Sequence, residues 1–131
     1  MMAGWWPTPQ AAAAMPEVAA QMNALPKIVF SRTLTSADWA NTTLFKGDLL
    51  GTMRRLKSEP GPDMVILGSG SLVTQLTAAK LVDTIQVAVN PVALGNGKSF
   101  LAGLHQPLHL RLTQSRTFGN GAVVLWYAPG K

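Results

Sequence analysis

Residues 64–76, MVILGSGSLVTQL, set four apolar residues against Gly68-Ser69-Gly70-Ser71 before an apolar pattern resumes at helical spacing. Two glycines and two serines at a strand-to-helix hinge leave the first N–H groups of the helix free. They lie at the positive end of its dipole, with no bulky side chain in the way. That is the chemistry of an anion seat, and phosphate is its usual guest. The same residues also make a tight connection with Ser71 as N-cap, and the motif alone leaves both readings open.

Other residues with chemical potential are sparse. Eleven Lys and Arg against six Asp and Glu give a net charge of +5, but the cations are spread along the chain. Only Arg54, Arg55 and Lys57 cluster, as on the solvated face of a helix. No basic stripe is interleaved with aromatics, so no nucleic-acid partner is expected. Asp48 and Asp83 sit at element boundaries, where aspartate caps or terminates structure, and neither has a His, Lys or second carboxylate beside it in sequence. No catalytic residue is therefore assigned. With no cysteine, and with His105 and His109 lacking nearby carboxylates, no metal site is expected. Trp5 and Trp6 are suited either to stacking on a flat heterocyclic substrate or to covering a core edge. Gly95 and Gly97, in the stretch PVALGNGK, allow a turn or a close ligand approach.

The elements that must position these residues follow from periodicity. A helix is predicted over 16–25 with Pro16 in its first turn, and the stretch 27–31, KIVFS, reads as a buried strand. Residues 41–45 form a weaker strand and 47–58 a helix. After the break Glu59-Pro60-Gly61-Pro62-Asp63, a strand over 64–67, a helix over 71–80 and a strand over 84–89 make a strand–helix–strand unit, which favours parallel pairing. Residues 108–113 alternate as LHLRLT and 122–127 form a second strand, so the two close an antiparallel hairpin. The predicted class is α/β: a mixed, mostly parallel sheet with flanking helices and a C-terminal antiparallel hairpin, in a single domain over residues 1–131. A chain with 47% hydrophobic and 13% charged residues is long enough to bury a core. It has no run long enough to span a bilayer and no basic segment ahead of its first apolar residues, so no membrane partner and a cytoplasmic location are expected.

Pro26-Lys27-Ile28-Val29-Phe30-Ser31-Arg32-Thr33-Leu34, Trp39, Gly47-Asp48, Leu56-Lys57, Gly68-Ser69-Gly70, Leu81-Val82-Asp83, Pro91-Val92-Ala93-Leu94-Gly95 and Gly97-Lys98 resemble, in order and spacing, the successive blocks of the dihydrofolate-reductase-like family that includes the RibD C-terminal reductase domain. The resemblance runs from about Met1 to Tyr127. It implies NADPH as cofactor and hydride transfer to a pteridine- or pyrimidine-type small molecule, as in dihydrofolate reductase or the uracil reductase of riboflavin biosynthesis. By position it places Ser31, Arg32 and Thr33 near the adenosine 2′-phosphate, where a guanidinium fork suits a phosphate monoester. It places Gly68, Ser69, Gly70, Ser71 and Leu72 under the pyrophosphate and Gly95 near the nicotinamide.

Members of that family ordinarily start with a strand bearing a Ser-x-Asp-Gly-like segment, then a helix, a strand and a Gly-Arg-x-Thr-like helix start. This sequence opens after that point, at Met1-Met2-Ala3-Gly4-Trp5-Trp6. Two expectations follow from the resemblance. Folate reduction by this chain alone is weak or absent. The sheet is completed by self-association into a homodimer, through the strand 84–89 and the hairpin 108–127. The alternative to a reductase is a non-catalytic remnant that folds, binds dinucleotide weakly and self-associates.

Overall fold

In the computed structural model, which describes residues 1–130, the chain forms two compact units, Met1–Thr52 and Met53–Lys131. The first opens with a 3-10 turn, Met2–Gly4, followed by helices α1 (Pro9–Ala14) and α2 (Pro16–Ala24). Each helix starts on a proline, whose missing N–H costs nothing at that position. Thr8 caps α1 by accepting from the Ala11 N–H at 3.2 Å. Strands β1 (Lys27–Phe30) and β2 (Thr42–Phe45) then pair in parallel, Lys27 opposite Thr42 and Phe30 opposite Phe45. The rings of that last pair stack with centroids 5.6 Å apart.

Helix α3 (Leu49–Ser58) carries the boundary between the units. Asp48 precedes it, and its carboxylate lies over Gly51, where a Cβ would meet Oδ2 at 2.0 Å. The second unit continues with α4 (Gly70–Ala78), β3 (Ile85–Val89), β4 (Leu110–Thr117) and β5 (Val123–Pro129). These strands form an antiparallel sheet in the order β3-β5-β4, with a bulge between Leu112 and Gln114. The buried apolar side chains of this unit are Leu76 on α4 and Ile85 at the start of β3. Lys57 ties α3 to the α4–β3 turn, donating to the Leu81 carbonyl at 2.9 Å and pairing with Asp83.

The α/β class, the helices, the mixed pairing and the C-terminal hairpin accord with the sequence reading. The expected strand over 64–67 needs correction: it joins no ladder, so parallel pairing is confined to β1 and β2. Apolar, β-prone composition makes a segment extended, but a strand exists only where a neighbour takes up its N–H and C=O groups. Val65, 79% exposed, and Leu67, 60% exposed, lack that cover. Among the described residues no helix is long and apolar enough to cross a membrane.

Candidate functional site

In the first unit the end of β1 builds a turn around one hydroxyl. The Ser31 N–H donates to the Phe45 carbonyl at 3.1 Å, which extends the parallel ladder by one step. Ser31 Oγ then accepts from the Thr33 N–H at 3.3 Å and the Leu34 N–H at 3.1 Å, and lies 3.4 Å from Thr33 Oγ1. Arg32 is thereby placed at the tip of a closed turn, exposed and without an ion pair among the described residues. A guanidinium held out on a fixed turn can fork onto a dianionic phosphate.

At the other end of β1 the Lys27 ammonium closes the C-terminus of α2. It donates to the carbonyls of Met22, Asn23 and Leu25 at 2.9, 3.2 and 2.8 Å and sits 4.5 Å from the centre of the Trp39 ring. Burial holds its pKa below the ordinary lysine value. Asn23 Oδ1 accepts from Trp39 Nε1 at 2.7 Å, while its amide nitrogen donates to the carbonyls of Trp6 and Ala19. Trp6 is thus pinned by its backbone and half-buried, whereas Trp5 is exposed. Of the two candidate stacking residues, Trp5 alone offers an open face. Sequence reasoning passed over the network of Asn23, Lys27 and Trp39, because its members lie 4 to 16 residues apart with no motif spacing.

In the second unit α4 begins at Gly70, one residue before the expected start. Gly68 has φ +141°, a conformation that side chains strongly disfavour. A Cβ at Gly68 or Gly70 would meet nothing within 4 Å, so both glycines border open space. Ser69, and not Ser71, is the N-cap residue, and its side chain makes no cap hydrogen bond. Its hydroxyl lies 2.9 Å from that of Ser71 instead. The N–H groups of Gly70, Ser71 and Leu72 fall in the first turn, where the helix supplies no acceptor, while Leu72 turns a half-buried side chain away from solvent. Two hydroxyls and this row of N–H groups make an uncluttered anion seat. Gly95 lies on an exposed loop with φ +80°.

Thus Ser31, Arg32 and Thr33 share one turn of the first unit, and Gly68 to Leu72 share one helix start of the second. Asp83 is paired with Lys57, and the Asp48 carboxylate lies over Gly51 at the start of α3. Among the described residues no group of His, Asp or Glu is assembled for a metal ion.

Comparison with known proteins adds identity to this geometry. Residues 1–124 match the RibD C-terminal domain family. The chain is 36% identical over 102 residues to the uncharacterized protein YyaP of Bacillus subtilis, a match covering 77% of this chain and 53% of that protein. It therefore spans about half the length of the curated relative it matches. A solved protein of Shewanella sp. PV-4 assigned to riboflavin biosynthesis superposes with a TM-score of 0.70 at 17% identity, over 90% of this chain and 71% of that one. A pyrimidine reductase-like protein of Corynebacterium diphtheriae gives 0.57 at 16% identity, over 79% and 49%. At such identities these two likenesses speak for the fold.

Proposed function

From the premise that the chain belongs to the RibD C-terminal domain family, we propose that it is a reductase-like protein that binds NADPH and passes hydride to a pteridine- or pyrimidine-type small molecule. The observation that carries this reading is the start of α4: open glycines, two hydroxyls that do not cap the helix, and first-turn N–H groups with no acceptor. That seat suits a pyrophosphate. Arg32 on its turn suits a 2′-phosphate, the group that distinguishes NADPH from NADH. When bound, the cofactor supplies the hydride. This chain's residues hold its phosphates and, through Trp5, offer an apolar face to a flat heterocycle.

The test is a fluorescence titration with both cofactors, followed by assay of NADPH oxidation with dihydrofolate and with a 5-aminouracil-type substrate. NADPH is expected to bind at least about tenfold more tightly than NADH. Equal affinity removes Arg32 from its role. A second reading, binding without turnover, draws on Asp83, whose carboxylate is paired with Lys57 and not with a second acid or a histidine. NADPH binding with no oxidation of either substrate favours it.

The same proposal includes a homodimer formed along β3. That strand lies at the edge of its sheet, and Ile85–Val89 contains no charge, proline or glycine to blunt the edge.

A further inference from the structure

The sequence sets asparagine directly before glycine twice, at Asn96-Gly97 and at Asn120-Gly121. Such a pair is chemically labile in water. Glycine has no side chain to shield its nitrogen, which can reach the asparagine amide carbon and close a five-membered ring. Closure needs two freedoms: the backbone must turn to bring the nitrogen onto Cγ, and the N–H must be free to give up its proton. The fold grants both at one pair and neither at the other.

Asn120-Gly121 is locked into the turn between β4 and β5. The Gly121 N–H donates to the Phe118 carbonyl at 3.0 Å, and Asn120 Oδ1 accepts from the Ala122 N–H at 3.1 Å. The Phe118 N–H closes the turn on the Ala122 carbonyl at 2.8 Å, and the ladder resumes at once with Thr117 opposite Val123. Both reacting groups are engaged, so reaction there waits on opening of the hairpin.

Asn96-Gly97 has no such ties. Every residue of Pro91–Phe100 is exposed, and no hydrogen bond joins Ala93–Lys98 to another described residue. A Cβ at Gly97 would meet nothing within 4 Å. Segments with so few bonds and so little burial sample other backbone conformations at little cost. The remaining asparagines are protected in other ways. Asn90 precedes Pro91, which has no N–H to attack with. The side chain of Asn23 is held by Trp6, Ala19 and Trp39, and that of Asn41 donates to the carbonyls of Asn23 and Ala24.

We propose that Asn96 is a site of spontaneous deamidation in the folded protein. The Gly97 nitrogen bonds to Asn96 Cγ, and the side-chain nitrogen leaves as ammonia with the proton that Gly97 gives up. Water then opens the ring. Breaking the new bond to Cγ yields aspartate. Breaking the bond from the same nitrogen to the backbone carbonyl carbon yields isoaspartate, with the main chain routed through the former side chain. One water is consumed, one ammonia is released and no electrons are exchanged. Either product puts a carboxylate into Ile85–Gly97, a stretch otherwise without charge, and lowers the net charge of +5 by one.

Peptide mapping of the folded chain, held for days at body temperature and mildly alkaline pH, tests it. Trypsin separates the two pairs into peptides 81–98 and 117–131. The first is expected to gain the mass of an amide-to-acid change, located at residue 96 and divided between aspartate and isoaspartate, at least about tenfold faster than the second. In denaturant, where no turn guards residue 120, the two rates should agree to within about twofold. Gly97→Ala, at a position bordered by open space, should leave melting unchanged and slow conversion at 96 by at least about tenfold. Conversion in the folded protein that is no faster at 96 than at 120 overturns the proposal. So does an Asn96 that stays intact in the folded protein while the denatured chain converts, which would show the loop to be held in solution. Aspartate without isoaspartate would overturn the ring mechanism in favour of direct hydrolysis.

Discussion

Arg32 and Lys27 lie at opposite ends of one short strand and divide its labour. Lys27 satisfies three carbonyls at the end of α2, and so is a structural cation; Arg32 has no such duties. Arg32→Ala is therefore expected to weaken NADPH binding at least about tenfold, to change NADH binding less than about twofold and to leave the melting temperature unmoved. Paired titrations with a melting curve check all three. Lys27→Met removes the charged donor from its carbonyls and is expected to cost about 1–3 kcal/mol of stability, read from denaturant midpoints, without altering the cofactor preference. The pH dependence has a defined sign. The folded-state pKa of Lys27 lies below its unfolded value of 10.5, so between the two the unfolded chain binds the extra proton and stability rises with pH. Wild type is expected to show this rise on the alkaline side and Lys27→Met to lack it.

At the scale of elements, the start of α4 makes the sharpest contrast between neighbours. Gly68 holds a backbone conformation closed to other residues, whereas Gly70 is helical and borders open space. Gly68→Ala should lower the melting temperature measurably. Gly70→Ala should leave it equal or higher, since alanine favours a helix by about 1 kcal/mol over glycine. If phosphate sits on this turn, the added methyl nevertheless weakens NADPH binding, and unchanged affinity in a well-folded Gly70→Ala protein rejects the seat. This helix start was legible in the sequence because its signal is local: small residues, a period of 3.6 and a strand-like run before it. The α3, β3 and hairpin assignments were legible for the same reason. What the sequence did not reveal depends on partners distant in the chain. Met64–Leu67 has the composition of a strand without the neighbour that would make it one. The cap of Asn23, Lys27 and Trp39 joins residues with no shared motif. Ser69 holds the cap position expected of Ser71, because the helix starts one residue earlier, at Gly70.

For the whole molecule, the question is what meets the edge of the β3-β5-β4 sheet. β3 pairs with β5 on one side, and its register from Ile85 to Val89 leaves the second side without a ladder among the described residues. Unpaired N–H and C=O groups in an apolar strand invite another strand, and natural edges are commonly guarded by charge or proline. Here the guard is missing: residues 85–97 contain no charged side chain, in a chain whose net charge is +5. A second copy is the partner this favours, because the uncharged stretch is where two basic chains can approach with least repulsion. Antiparallel pairing of β3 with itself about a two-fold axis would set Ile85 against Val89 and repeat the same contacts on both sides, as closed two-fold assemblies do. Sedimentation equilibrium is expected to give about twice the 13.9 kDa chain mass at micromolar concentration. Ala88→Lys, which puts two ammonium groups near the axis at an exposed position, should shift the protein to monomer by at least about tenfold in dissociation constant while the spectrum of the folded chain is retained. A wild-type protein that stays monomeric at those concentrations would show that β3 keeps an open edge in solution, and a dimer indifferent to Ala88→Lys would place the interface elsewhere on the chain.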